Sequence, residues 1–188
     1  KDPVGVIGGF ADRVAPAVPD AHLILGGPAV AAVSDDPEGQ EVLEECRQRW
    51  SELPDDIASR VHLACLPMED AEENAAMVNA LQRRADVVVQ KSLAEGFGLT
   101  VAEAMWKARP VVASRIGGIQ DQVVDDASGI LIDDPTDLDE YGDAVVEVLS
   151  NDALASELGH KARERVRDEF LGARSLIQYV DLFESILA

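Results

Sequence analysis

Short apolar runs alternate with longer amphipathic stretches along most of this chain. Five runs predict β-strands, at 22–25, 61–65, 87–89, 110–113 and 130–132. Residues that are apolar on successive positions are typical of parallel strands covered on both faces. Helical patterns lie between them, at 3–18, 37–53, 71–84 and 100–108. This alternation predicts an α/β fold with a Rossmann-like, doubly wound parallel sheet.

Three further helices are predicted in succession at 137–150, 153–170 and 175–188, so extra C-terminal helices complete the fold. In the last one Leu176, Val180, Phe183 and Leu187 recur at helical spacing, which indicates an apolar face. Such a face either joins the core or packs against another part of the protein. We therefore treat 1–170 as the domain and 171–188 as a separate C-terminal helix.

The chain opens on a helix signal. Asp2 before Pro3 is typical of an N-cap followed by the first helical position. In a doubly wound sheet the first strand lies at the centre, so without it the sheet would fall into two unjoined halves. We therefore expect an upstream strand, and an upstream domain, in the full-length protein.

The chain is strongly acidic, with a formal net charge of -20 over 188 residues. This charge disfavours duplex nucleic acid and anionic membranes as partners, and no apolar run approaches the roughly 18 residues of a membrane helix. The two cysteines, Cys46 and Cys65, lack metal-ligand spacing. We expect reduced, buried thiols and a cytoplasmic location.

The segment 95–103 carries the clearest functional signal. Glu95 and Glu103 flank a glycine-rich turn that follows the strand at 87–89 and precedes the helix at 100–108. This order directs backbone N–H groups and a helix dipole at one spot, where an anion can bind. Carboxylates beside an anion site suit a ligand that carries hydroxyls next to its phosphates, such as a sugar nucleotide.

The same segment and its continuation resemble retaining glycosyltransferases of the GT-B fold, family 4. The matching motifs are EGFGL at 95–99, EAM at 103–105, RPVVAS at 109–114, GGI at 117–119 and SG at 128–129. Their order is that of the C-terminal, donor-binding domain of the family. The resemblance covers nearly the whole chain, and it implies that the loop at 117–118, by itself a tight turn, lies close to the site.

A narrower resemblance is to trehalose synthases of the glycosyl-transferring type. It is carried by KDP at 1–3, DDPEG at 35–39, VNALQ at 78–82, VQKS at 89–92 and EAMWK at 103–107. It implies transfer of glucose from ADP- or UDP-glucose to glucose, with retained configuration, to give trehalose. A trehalose phosphorylase of the same family and a non-catalytic sugar-nucleotide-binding module are the alternatives.

The resemblance also implies roles for the two glutamates. Glu103 would accept hydrogen bonds from the ribose hydroxyls of the donor, although Thr100 and Glu103 also have the spacing of a helix capping box. Glu95 would contact a hydroxyl of the donor glucose. A covalent nucleophile, as in retaining hydrolases, and a solvated loop residue are the other interpretations of Glu95.

Backbone groups and cations would hold the diphosphate. The predicted donor-binding residues besides Glu103 are Gly96, Phe97, Gly98, Leu99 and Thr100, with the Phe97 ring expected to pack. Lys1 and Lys91 would stabilise the charge that develops on the leaving diphosphate. A surface lysine is the alternative for Lys91, and the arginine that completes this set in the family is expected upstream of Lys1.

No metal or other cofactor is expected. The acidic pairs at 35–36, 55–56, 125–126 and 133–134 fall in predicted turns or helix starts, where Asp is favoured for capping. The GT-B resemblance likewise implies transfer without a bound metal. The partners it implies are a nucleotide sugar, a sugar acceptor and the N-terminal domain of the same protein, with a homodimer as a further option.

Overall fold

The computed structural model describes residues 1–28 and 37–187. Within these ranges five parallel strands form two sheets. The strands are β1 Leu23–Pro28, β2 Val61–Leu66, β3 Val88–Gln90, β4 Val111–Ser114 and β5 Ile130–Ile132. β1 pairs with β2, and β4 lies between β3 and β5. All five predicted strands and the parallel α/β, Rossmann-like fold are thus confirmed.

The two sheets share no ladder of hydrogen bonds among the described residues. In one sheet Leu23 pairs with Val61, and in the other Val88 pairs with Val111. The predicted division of the sheet into two unjoined halves is therefore confirmed. The upstream strand that would join them stays a prediction.

Helices flank the sheets and connect the strands. They are α1 Pro3–Gly9, α2 Ala15–Ala17, α3 Pro37–Ser51, α4 Asp55–Ala58, α5 Ala71–Arg84, α6 Leu99–Trp106, α7 Ile119–Gln122, α8 Leu138–Ser150, α9 Asp152–Glu169 and α10 Gly172–Leu187. A π-helical turn, Phe10–Val14, joins α1 to α2, so the helical backbone runs through nearly all of the predicted stretch at 3–18. The sequence did not predict α4 and α7, because four residues are too few to show a helical period.

Aspartate side chains set the start of several helices. Asp2 Oδ1 accepts a hydrogen bond of 2.9 Å from the Gly5 N–H, which confirms the predicted N-cap. Asp70 and Asp137 cap α5 and α8 in the same way. Carboxylates at these positions satisfy free N–H groups and favour the helix dipole. Part of the acidic excess of this chain therefore serves to begin helices.

The other acidic pairs that the structure describes contact a guanidinium or lie in the first turn of a helix. Asp125 and Asp133 both accept hydrogen bonds from the Arg115 guanidinium, and Asp55 and Asp56 lie in the first turn of α4. The pair at 35–36 lies outside the described residues. Across the part of the chain that the structure describes, no group of three or more His, Cys, Asp or Glu side chains is placed to hold a metal ion.

The hydrophobic core ties both sheets to the same helices. Ile7 and Val14 from the first helical run pack with Val112, Ile132 and Tyr141, and β1 and β2 contribute apolar side chains to the same cluster. A second cluster lies beneath α6 and includes Val101, Met105, Val111, Ile119 and Ala162. The inner face of α6 is thus held by packing, which leaves the outer face of this helix free to carry polar groups.

The last helix is different, because its apolar face is not covered. The side chains of Leu176, Val180, Phe183 and Leu187 are all exposed, Leu187 by 84%. The interpretation that this face joins the domain's own core is therefore wrong. Packing against another part of the protein stays a prediction; Ala188 lies outside the described residues. Among the described helices, none combines the length and the apolar character needed to cross a bilayer.

The two cysteines differ in exposure. Cys46 on α3 is buried, as expected, whereas Cys65 is exposed, which corrects the expectation for that residue. The physical reason is its place on β2, an edge strand that pairs only with β1 among the described strands.

Candidate functional site

The site is built where β3 ends and α6 begins. The predicted order of strand, glycine turn and helix is confirmed, and the helix starts at Leu99. Gly98 is the N-cap residue and has a φ of 82°, in the left-handed region that glycine adopts without strain. The N–H groups of Leu99 and Thr100 form no hydrogen bond within the described residues. They are free to bind an acceptor, as expected for the first turn of a helix.

A second glycine loop packs directly on the first. The Gly118 N–H donates a hydrogen bond of 2.6 Å to the Gly96 carbonyl. A Cβ added at Gly117, where φ is 51°, would lie 2.0 Å from the Glu95 carbonyl oxygen. A Cβ at Gly118 would lie 2.8 Å from the Gly96 carbonyl oxygen. The two loops approach backbone to backbone, so only glycine fits at 117 and 118. The family resemblance implied that this loop lies close to the site, and its contact with the turn at 95–96 agrees with that.

Polar side chains from α7 and α9 brace the same loop. The Gln122 side-chain amide donates to the Phe97 carbonyl, and Gln122 is fully buried. Arg165 donates in turn to the carbonyls of Gln122 at 2.6 Å and Asp121 at 2.7 Å. The Arg165 guanidinium thereby satisfies carbonyls at the end of α7. Neither residue could be predicted from the sequence, since both lie far from the glycine turn along the chain.

Glu95 is held from the strand side. Its Oε2 accepts a hydrogen bond of 3.2 Å from the amide of Gln90, and the Ser92 hydroxyl lies 3.5 Å from the same oxygen. The Gln90 amide also donates to the Ser92 hydroxyl at 3.0 Å. The other oxygen of Glu95 accepts from the Gly96 N–H at 3.2 Å. Glu95 is therefore not a freely solvated loop residue, and the interpretation as one is wrong.

Glu103 is held from a neighbouring helix. Its Oε2 accepts a hydrogen bond of 3.1 Å from the amide of Gln82 on α5. The Gln82 carbonyl oxygen accepts from the Lys107 ammonium at 2.6 Å. No side chain caps α6, so the capping-box interpretation of Thr100 and Glu103 is wrong. Glu103 Oε1 accepts no hydrogen bond from the residues that the structure describes, which leaves this oxygen for a ligand.

The two predicted cations differ in environment. Lys91 is not a surface residue: its side chain is fully buried, and its ammonium pairs with the Asp2 carboxylate. Lys1 is exposed and lies beside this pair, because the Asp2 N–H donates to the Lys91 carbonyl at 3.1 Å. The structure thus brings both lysines to the end of β3. A direct role of either lysine toward a phosphate stays a prediction.

Apolar side chains surround the opening of the loop. The Phe97 ring packs edge to face against Phe170, with 6.3 Å between ring centroids, and is still 47% exposed. The expected packing of Phe97 is thus only partial. Leu93 and Leu99 are also exposed. The surface beside the glycine loop therefore offers backbone N–H groups, two held carboxylates and apolar contacts.

Comparison with known proteins identifies the kind of domain that carries this site. The family model described as glycosyl transferases group 1 matches residues 71–165, which include both glutamates and both glycine loops. A trehalose synthase from Rubrobacter xylanophilus is 40% identical over 187 residues, covering 100% of this chain and 41% of the relative. One from Pyrococcus horikoshii is 36% identical over 174 residues, covering 93% of this chain and 39% of the relative.

Solved structures share the fold. Sucrose-phosphate synthase from Thermosynechococcus elongatus superimposes with a TM-score of 0.74 at 27% identity, over 100% of this chain and 42% of that one. HepE from Anabaena, solved in complex with UDP-glucose, superimposes with a TM-score of 0.72 at 22% identity, over 96% of this chain and 44% of the HepE chain.

The chain spans about two fifths of the length of these curated relatives. The matched region nevertheless covers half of this chain, and it contains both glutamates and both glycine loops. This chain therefore belongs to the family of glycosyl transferases group 1.

Proposed function

We propose that this chain is the donor-binding domain of a retaining glucosyltransferase that moves glucose from ADP- or UDP-glucose to glucose and so makes trehalose. One observation carries the proposal: two glutamates with seven residues between them are each held by a buried glutamine, on either side of a glycine loop that opens a helix. Helix N-termini bind phosphate, and carboxylates bind hydroxyls. A nucleoside-diphosphate sugar presents both groups.

Each part of the donor then has a partner in the site. The diphosphate accepts hydrogen bonds from the N–H groups of the loop and first helical turn, at Gly98, Leu99 and Thr100. The free oxygen of Glu103 accepts from the ribose hydroxyls. Glu95 accepts from a hydroxyl of the transferred glucose and so orients the anomeric carbon. The leaving diphosphate gains negative charge. The exposed Lys1 stabilises this charge directly, and Lys91, which is buried and paired with Asp2, contributes from behind that ion pair.

The choice of trehalose synthesis rests on the relatives. Two trehalose synthases match more than nine tenths of this chain at 36–40% identity. HepE has the same fold and was solved with UDP-glucose bound, which supports a nucleotide sugar as the ligand of this kind of domain. We further propose that an upstream domain of the same protein supplies the acceptor site and closes over the donor, and that the reaction takes place in the cytoplasm.

Substitution of the two glutamates in the full-length protein tests this proposal. We expect Glu103→Gln to weaken binding of ADP or UDP, measured by calorimetry, because ribose loses a charged acceptor. We expect Glu95→Gln to lower mainly kcat for sugar transfer, because it acts on the reacting sugar. Glu157→Gln, an exposed glutamate on α9, is the matched control. Wild-type turnover in both site variants would refute the assignment.

The same titration separates the enzyme alternatives. A phosphorylase uses phosphate in place of the nucleotide, so the ribose role of Glu103 would have no ligand. If neither ADP nor UDP binds and sugar transfer depends on inorganic phosphate, the chain serves a phosphorylase. If a nucleoside diphosphate binds but no sugar acceptor is glycosylated, the chain is a binding module.

A further inference from the structure

Both site glutamates are held by a buried glutamine that comes from outside the glycine loop. Gln82, on α5, is 6% exposed, and Gln90, at the end of β3, is 5% exposed. Burial of an amide destabilises the folded protein unless the amide forms hydrogen bonds. Both amides are paired with carboxylate oxygens, at 3.1 Å to Glu103 and 3.2 Å to Glu95. Their burial therefore coincides with contact to the two acidic groups of the site.

The chemistry of the neighbours fixes which way each amide points. The Lys107 ammonium can only donate, so the oxygen of Gln82 must face Lys107, at 2.6 Å, and its nitrogen must face Glu103. A carboxylate can only accept, so the nitrogen of Gln90 must face Glu95. The orientation of each amide is thus set by the charges beside it.

Each glutamine donates a hydrogen bond to one carboxylate oxygen of the glutamate that it contacts. The other oxygen of that glutamate can still accept a hydrogen bond from a ligand. In both glutamates the occupied atom is Oε2. Glu103 Oε1 accepts no hydrogen bond from the described residues, and Glu95 Oε1 accepts only from the Gly96 N–H. A long carboxylate side chain held in this way loses less rotational freedom when a ligand binds.

We infer that Gln82 and Gln90 are positioning residues that hold Glu103 and Glu95 in the orientation required for donor binding and sugar transfer. The inference rests on the function proposed above. Lys107 belongs to the same arrangement, because its charge polarises the Gln82 amide and strengthens the hydrogen bond to Glu103. The two glutamines act on different parts of the donor and therefore on different kinetic parameters.

Replacement by methionine, which keeps the volume of the side chain and removes the amide, is the first test in the full-length protein. Gln82→Met is expected to weaken ADP or UDP binding about three- to tenfold with kcat nearly unchanged, since the ribose contact is lost equally from ground and transition states. Gln90→Met is expected to lower kcat more than donor affinity. Gln48→Met is the control, because Gln48 donates to Glu52 at 3.3 Å on the exposed face of α3.

A second variant separates positioning from simple filling of space. In Gln82→Glu one oxygen of the new carboxylate faces the Lys107 ammonium and the other faces the Glu103 carboxylate, which repels it. Protonation of either carboxyl group relieves this repulsion and restores a donor for the hydrogen bond that the amide supplied. Donor affinity of Gln82→Glu should therefore recover as the pH is lowered, whereas that of Gln82→Met should not. This readout remains available if Gln82→Met does not fold.

A double-mutant cycle shows whether Gln82 acts through Glu103. If it does, Gln82→Met has no further effect on donor binding in a Glu103→Ala background, where the side chain that Gln82 holds is absent. Full additivity of the two substitutions would overturn the inference. Wild-type donor affinity in Gln82→Met together with wild-type kcat in Gln90→Met would overturn it as well. If the glutamate variants are impaired in these cases, the proposed function remains intact. Wild-type behaviour of the glutamate variants themselves would instead overturn the proposed function, and the inference with it.

Discussion

Asp2 and Lys91 form an ion pair that fastens the start of α1 to the residue after β3. The same carboxylate caps α1 through its other oxygen, at 2.9 Å from the Gly5 N–H. The space around the pair is full, since a Cβ at Gly5 would lie 2.1 Å from Asp2 Oδ2 and 2.7 Å from Lys91 Nζ. One aspartate thus begins a helix and neutralises a buried ammonium beside the candidate site.

We expect Asp2→Asn to lower the free energy of unfolding by about 2–4 kcal/mol, because the buried Lys91 loses its counter-ion while the amide oxygen preserves the cap. Chemical denaturation of the full-length protein measures this difference. The matched control is Asp12→Asn, an exposed aspartate in the π-helical turn, for which a change within about 0.5 kcal/mol is expected. Equal stability of the two variants would show that the pair contributes nothing.

Gly117→Ala should distort the glycine loop. The new Cβ would lie 2.0 Å from the Glu95 carbonyl oxygen, and the residue would keep a φ of 51°. We expect a loss of about 1–3 kcal/mol in stability and a fall in sugar-transfer rate. Gly27→Ala on β1 is the control, because its added Cβ has no atom within 4 Å among the described residues other than its chain neighbours. Wild-type turnover of Gly117→Ala would contradict the packing of the two loops.

The two cysteines should react with alkylating reagents at very different rates. Burial, and then the nearby Glu45 carboxylate, raise the pKa of the Cys46 thiol, so the reactive thiolate is less populated there at any pH below the shifted value. Cys65 is exposed on β2. Cys65→Ser should abolish the fast phase of alkylation of this domain and Cys46→Ser should leave it unchanged, as read by mass spectrometry of the modified peptides. A fast reaction at Cys46 would disprove its burial.

The sequence predicted the fold because its signals are local. Consecutive apolar residues marked all five strands, and Asp2 before Pro3 marked the first helix start. The glycine turn at 95–99 was placed correctly for the same reason, since strand, turn and helix follow one another directly. The predicted ends of helices were less accurate: the helix expected at 100–108 begins at Leu99 and ends at Trp106.

The contacts that organise the site could not be predicted, because they join residues that are distant in sequence. Gln82 reaches Glu103 from another helix, Arg165 reaches the end of α7 from α9, and Lys91 meets Asp2 across 89 positions. No pattern in the sequence reports such pairs. A buried glutamine looks like any surface glutamine until the fold places it, so the residues that hold both glutamates were missed.

The exposed face of α10 should be covered in the full-length protein. Leu176, Val180 and Phe183 would otherwise leave a continuous apolar surface in water, which soluble proteins rarely tolerate. We expect Val180→Asp to lower the thermal unfolding midpoint of the full-length protein, because a charge would be buried where α10 packs. Asp181→Asn, an exposed polar position on the same helix, is the control. An unchanged midpoint in Val180→Asp would show that this face stays in solvent.

The most direct test of the proposed activity is to incubate the full-length protein with ADP-glucose or UDP-glucose and glucose, and to identify the disaccharide by mass spectrometry and NMR. We predict trehalose with the anomeric configuration of the donor retained, and a matching release of nucleoside diphosphate. Formation of trehalose only from glucose 1-phosphate, or no transfer from either nucleotide sugar, would contradict the account.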